Sequence, residues 1–293
     1  MKKYFNYICL LMVVGCFASC GNNEDVDVNN SIFDTESTEN VTSFDQWLLE
    51  NYTYPYNVRV KYRMDDTETN VKYDLVPADY SRSIALMKIV KHVWMEAYDE
   101  VWGIDQTRTY VPKLIQLIGN VAYTESGMIL GQAEGGLKVT LFRVNELDVD
   151  NIDPAILNEF YFKTMHHEFT HILNQTKAYD PAFDRISESD YVGASWYQIS
   201  DEEALKKGCI SPYSMDRATE DFAEMVSIYV TNTAEDWENW MRIAGNTGRP
   251  ILERKFEIVY NYMKDSWGID LDRLREIVQR RQNEISLLDL STL

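Results

Sequence analysis

The chain has 293 residues, 45% of them hydrophobic, with 28 Lys and Arg set against 47 Asp and Glu for a formal net charge of −19. That length is ample for one core or two abutting lobes. The acidity repels nucleic acid and anionic headgroups, so neither is an expected partner through charge.

Lys2 and Lys3 give a positive start, residues 8–17 form a short apolar run, and Phe17-Ala18-Ser19-Cys20 ends it with small residues before a cysteine. The run is too short for a stable membrane span. It resembles a bacterial lipoprotein signal over residues 1–19, whose cleavage would leave Cys20 as the acylated N-terminus. Residues 20–40 are rich in Asn, Asp, Glu, Ser and Thr and cannot bury a face, so they read as a disordered tether. The early acids Glu24, Asp25 and Asp27 resemble the surface-export signal of Bacteroidetes lipoproteins. The expectation is an outer-membrane lipoprotein facing the cell surface and held to the membrane through its N-terminal lipid. Cys9 and Cys16 would leave with the leader and Cys20 would carry lipid. Cys209 would then stand alone, and the core, without a disulfide, must supply stability.

The globular part is expected over 41–293, as an α/β lobe (41–150) followed by a helical lobe (151–293). Ser43-x-x-Gln46 has the form of a capping box and opens a short helix that Tyr54-Pro55 should end. Val58, Val60 and Tyr62 alternate with basic residues as a half-buried strand. Residues 81–102 form an amphipathic helix containing His92, which reads as a surface or satisfied histidine. Strand-like stretches follow at 114–123, 127–133 and 137–144, with Gly135-Gly136 as a hairpin turn between the last two. Asp153-Pro154 then starts a helix running to about Gln175, with the N-cap followed by proline at the first helical position. Residues 177–200 read as loop. Helices follow at 201–207, from near Asp216, and at about 235–244, 250–266 and 270–285. Trp47, Trp94, Trp102 and Trp267 lie in helical apolar stripes, whereas Trp196-Tyr197 falls in the loop and is a better binding candidate.

The helix after Pro154 carries His167-Glu168-Phe169-Thr170-His171, in a chain with 4 histidines. At about 100° per residue, positions i and i+4 lie on one face, so both imidazoles can reach one metal ion. Glu168 sits beside them, placed to take a proton from a water molecule without ligating the metal. His166 points about 100° away from His167 and is unsuitable as a ligand. A catalytic zinc needs a third protein ligand, and no histidine follows His171. The best candidates are Glu220 and Glu224, i and i+4 on the polar face of one helix. Either could bind the metal while the other hydrogen-bonds an imidazole and fixes its tautomer.

The string Thr164-Met165-His166-His167-Glu168-Phe169-Thr170-His171-Ile172-Leu173-Asn174-Gln175, with Ser211-Pro212-Tyr213 and Thr219-Glu220-Asp221-Phe222-Ala223-Glu224, resembles the zinc-binding metallopeptidase family of Bacteroidetes lipoproteins. Ala133-Glu134-Gly135-Gly136 fits the same family, and the resemblance covers about residues 40–290. The wider kinship is to gluzincins, and Glu-x-x-Ala-Glu is similar to the third-ligand helix of anthrax lethal factor. By that resemblance Glu220 is the third zinc ligand, Glu224 supports the site from behind, and Tyr213 approaches the reacting carbonyl. The implied fold is α+β and zincin-like: a mixed sheet lobe, then a mostly helical lobe, with the active-site helix at the junction. Members of the family often accompany starch-utilisation-type outer-membrane transport pairs, which implies a place near nutrient-uptake components.

The expected activity is hydrolysis of peptide bonds in a protein or peptide substrate, with one Zn²⁺ per chain held by His167, His171 and Glu220. Glu168 is the expected general base and Tyr213 the hydrogen-bond donor. Strand 127–133 could pair an extended peptide along its edge. The rival is a surface glycan- or peptide-binding lipoprotein in which zinc is structural or absent.

Overall fold

Among the described residues, six short strands and a set of longer helices make up the fold. The computed structural model describes residues 41–64, 72–124, 127–129, 131–134 and 138–293. The expected leader, tether and lipid site Cys20, and the Gly135-Gly136 turn, lie outside the described residues. Ser43–Leu293 forms one compact unit.

The first helix, α1, spans 43–56 and passes through a π-helical turn at Leu49–Thr53. Tyr54-Pro55, expected from the sequence to end it, does not. The backbone N–H of Tyr54 donates to Leu49 O, and this wider turn lets the helix continue through Pro55 despite its missing N–H. The helix stops instead at Asn57, in the left-handed conformation with φ 54°.

β1 (Arg59–Lys61) leads to α2 over 80–102, which is capped by the Asp79 side chain accepting from Arg82 N. After α3 (Ile104–Tyr110) comes β2 (Leu114–Leu117), less than half the length expected. It ends where residues 76–79 and Asn145 cross the chain. A Cβ on Gly119 would lie 2.3 Å from Pro77 O, and the Asn120 side chain binds Val76 N and Asp74 O. The expected strand 127–133 divides in two. β3 (Ala122–Thr124) pairs antiparallel with β4 (Gly127–Ile129), while β5 (Gly131–Glu134) pairs antiparallel with β6 (Lys138–Leu141). The main sheet has the order β1-β2-β6-β5, the first three parallel, with β5 as its antiparallel edge. The fold is therefore α+β and mostly helical, with a small, largely parallel sheet.

The chain beyond residue 150 is helical, as its pattern predicts. α4 spans 154–176, capped by Asp153 with Pro154 at its first position, and β5 lies against it. The expected loop contains a short α5 (Ala182–Ile186) and a 3₁₀ segment, Gly193–Gln198. α6 (Asp201–Lys206), a 3₁₀ turn at Tyr213–Met215, and α7 (Ala218–Thr231) follow. α8 (Ala234–Asn261) breaks at Gly245, whose φ of 63° and ψ of −158° are non-helical, and α9 (Leu271–Glu284) closes the set.

One apolar cluster takes residues from both halves of the unit, from Phe44 to Ile285. Trp94 and Tyr98 of α2 pack edge-on against Phe169 of α4 at 5.7 and 4.8 Å, contacts typically worth about 0.5–1.5 kcal/mol each beyond burial. Trp94 and Trp267 are buried, and Trp47 and Trp102 pack against the same cluster, as their helical spacing predicts. α4 is thus clamped on its apolar side, which leaves its histidine face to meet α7.

Candidate metal centre

α4 and α7 pack against each other with His171 beside Glu220 and His167 beside both Glu220 and Glu224. The helices therefore run antiparallel, and each supplies two residues one turn apart. His167 Nε2 and His171 Nε2 each lie 3.0 Å from Glu220 Oε2 and 3.1 Å from each other. Among the described residues, these three side chains form the group whose ligand atoms converge.

A zinc ion with bonds of 2.0–2.1 Å to tetrahedral ligands separates those ligands by about 3.3–3.4 Å. The triangle found here is within a few tenths of an ångström of that edge length. Two nitrogens and one carboxylate oxygen are zinc's usual donors, and three protein donors leave a fourth position open. The residues present fit the ion.

Glu224 stands behind this triangle. It is buried, with Oε1 3.0 Å from His167 Nδ1, while Oε2 accepts from Ser211 Oγ at 2.6 Å and Lys163 Nζ at 3.3 Å. Burial would raise its pKa, but the Lys163 charge and the hydrogen bonds of His167 and Ser211 hold it down at about 2. An ionised carboxylate on Nδ1 keeps the proton there and leaves Nε2 to face the metal position. Burial favours neutral His167, yet the hydrogen bonds of Glu220 and Glu224 overcome this and raise it to about 9. Burial likewise opposes ionisation of Glu220, but both imidazoles hold it well below the usual carboxylate range. The two carboxylates thus make an acidic cage that favours the protonated form of His167.

Glu168 is half-buried on the same helix, and its charge acts on both His167 and Tyr213. The Tyr213 ring lies 5.7 Å from that of His167, and burial together with the charges of Glu220 and Asp216 raises its phenol pKa. Tyr213 is therefore an O–H donor at neutral pH. Trp196 packs edge-on against Tyr213 at 5.0 Å, and exposed Tyr197 follows it, which brings the loop aromatics to the site. His166 points into the core, its Nδ1 3.1 Å from the Tyr98 hydroxyl, and burial pushes it down to about 3. His92 sits in an ion network with Glu96, Glu284 and Arg281 and takes no part.

The structure thus gathers His167, Glu168, His171, Tyr213, Glu220 and Glu224 into one place. The roles of Lys163 and Ser211 against Glu224 escaped the sequence reading. Lys163 could have been found, being one turn before His167 on the same stripe. Ser211 carries no periodic signal.

The profile of a family described as "Putative zinc-binding metallo-peptidase" matches residues 36–272. The chain belongs to this family. A crystal structure of a "putative zinc-binding metallo-peptidase" from Bacteroides caccae ATCC 43185 is 44% identical, with a TM-score of 0.74, covering 86% of this chain and 98% of that one. No curated protein matches the chain. Among the described residues, the group that could hold such an ion is His167, His171 and Glu220.

Proposed function

We propose that this family member is a zinc-dependent peptidase of the gluzincin type, with one zinc per chain held by His167, His171 and Glu220. The observation that carries the reading is the convergence of those three donors within 3.0–3.1 Å, with Glu224 oriented on the far nitrogen of His167. Bound there, zinc would polarise a peptide carbonyl and bring the pKa of a water molecule toward neutrality.

The chain's own residues supply the rest. Glu168 takes the proton of the attacking water and delivers it to the leaving amine. Tyr213 donates its hydroxyl proton as a hydrogen bond to the carbonyl oxygen as negative charge develops. Donors in that role are typically worth about 2.7–4 kcal/mol. The other edge of β5 carries no paired strand among the described residues, so an extended peptide can add there through its backbone, beside α4. Such binding reads backbone rather than sequence and suits a protein or peptide substrate. A mixed sheet with an antiparallel edge beside α4 supports a zincin-like reading of the fold. A structural zinc would call for a fourth protein ligand; the group found among the described residues has three.

The lipoprotein leader, the lipid on Cys20, the outer-membrane surface location and the association with nutrient-uptake components complete the proposal and rest on the sequence. Among the described residues, no helix is long and apolar enough to cross a membrane, so the lipid would supply the attachment.

Glu168→Gln tests the reading. The zinc-loaded variant should retain its metal and fold but lose about 10²–10⁴-fold in hydrolysis of a peptide mixture followed by mass spectrometry. Undiminished turnover refutes the mechanism.

A further inference from the structure

Behind the metal helix lies a second group of charges that the proposed reaction does not use. Asp221 follows Glu220 on α7 and points about 100° round the helix from it, where it is fully buried against the equally buried Lys255 of α8. Lys255 Nζ donates to Asp221 Oδ2 at 2.5 Å, to Gly208 O at 2.7 Å and toward Cys209 Sγ at 3.6 Å. The Tyr191 hydroxyl donates to the same Asp221 oxygen at 2.9 Å. All three ammonium protons are thereby spent, on α7 and on the segment that leads into Ser211 and Tyr213. Tyr191 ties in the loop bearing Trp196. The two loops are also joined directly, through Val192 N to Met215 O at 2.7 Å and Gly193 N to Asp216 O at 3.2 Å. α8 can approach this closely because Gly248 faces Leu205 O and Gly208 faces Ile251 with no room for a Cβ.

Buried ion pairs are poor devices for stability alone, since well-packed apolar residues of similar volume often do as well or better. What this pair offers is direction. A single ammonium group joins the helix carrying Glu220 and Glu224 to the loop carrying Tyr213, and Tyr191 adds the loop whose Trp196 packs on Tyr213.

We propose that Asp221, Lys255 and Tyr191 are positioning residues, a buried clamp that sets the Tyr213–Trp196 wall against the metal centre. The inference rests on the peptidase reading above for its catalytic consequence, but not for its structural one. The clamp acts through Tyr213, whose hydrogen bond strengthens in the transition state. Loosening it lowers kcat and leaves KM nearly unchanged.

The test uses the double variant Asp221→Leu/Lys255→Met, which removes both charges together, and Tyr191→Phe, which removes one hydroxyl and leaves the ion pair intact should the double variant fail to fold. In the zinc-loaded full chain, the double variant should lose about 10–100-fold in kcat, as expected for a displaced catalytic group. KM should stay within about twofold and zinc should be retained. Tyr191→Phe should show the same pattern at about 3–10-fold. In a Tyr213→Phe background the double change should cost less than about threefold more, because the group it positions is gone. Full additivity of the two losses, or a change confined to KM, overturns the proposal.

Hydrogen exchange supplies a readout independent of activity. Amides of residues 191–216 should lose protection while those of α4 keep theirs, and Cys209 should become alkylatable, as read by peptide mass spectrometry. Unchanged exchange and an unreactive Cys209 in these variants overturn the clamp. A parent chain that binds zinc but cleaves nothing overturns the peptidase reading instead, and exchange then decides the clamp alone.

Discussion

Exchanging Glu220 and Glu224 separately for glutamine should weaken zinc binding to very different degrees. Glu220 Oε2 is the atom nearest both imidazole nitrogens, 3.0 Å from each. Glu220→Gln removes the one anionic donor of the triangle, leaving a neutral amide that binds zinc poorly. Glu224 never faces the metal position. Its Oε1 meets His167 Nδ1, and its Oε2 receives Ser211 Oγ and Lys163 Nζ. In Glu224→Gln the amide must set its NH₂ against one of those donors. Turning the NH₂ toward Ser211 and Lys163 preserves the His167 contact and costs the metal least. That places Glu224→Gln in the range of about 10–100-fold in zinc affinity, about 1.4–2.7 kcal/mol, typical of groups that orient a ligand. Glu220→Gln should exceed about 100-fold. Competition against a chromophoric chelator at neutral pH, with metal content by mass spectrometry, measures both. Equal losses, or the reverse order, would exchange the two roles and undo the placement of Tyr213.

Zinc binding should also depend on pH in a direction set by His167. Its imidazole stands at about 9 in the metal-free site, above the ordinary 6.5, so a proton must leave before zinc enters. Apparent zinc affinity should therefore climb, by about tenfold per unit, until pH approaches 9; a plateau from pH 6.5 onward would contradict the geometry. Gly248→Ala should destabilise the fold by about 1–3 kcal/mol, read from Tm, even though alanine is the better helix former. Its Cβ would sit 1.9 Å from Leu205 O, a backbone atom that cannot step aside. A raised Tm would show that α8 and α6 can separate at no cost.

Periodicity accounts for most of what the sequence revealed. His167, Glu168 and His171 were legible because helical geometry converts a four-residue spacing into one face, and His166 was excluded by the same 100° step. The structure places His166 fully buried beside Tyr98, as that step requires. Glu220 and Glu224 were legible as a pair but not as individuals. Spacing puts both on one face and does not say which faces α4 at the depth of the metal. What was not legible depends on contacts between distant segments. β2 stops at Leu117 because residues 76–79 cross it, and α1 runs past Pro55 because a wider turn absorbs the proline. Asp221 carries no signal of its own in the sequence, and only its pairing with Lys255, 34 residues away, distinguishes it from Glu220.

That contrast bears on how α7 works. Three acids, Glu220, Asp221 and Glu224, lie within five residues of a helix in which every residue from Asp221 to Thr231 is buried. Buried carboxylates are tolerated only when each is paired. Glu220 and Glu224, about 40° apart, take the two histidines and Lys163, whereas Asp221, about 100° round from Glu220, takes Lys255 and Tyr191. The helix is therefore gripped through charge on two sides at the same level. A rotation that improved one set of contacts would leave a buried charge unpaired in the other. The register of Glu220 against the histidines is thus fixed by charge pairs in two directions and not by apolar packing alone. The same two-directional hold explains why a site needing sub-ångström placement can sit between two helices joined by long loops.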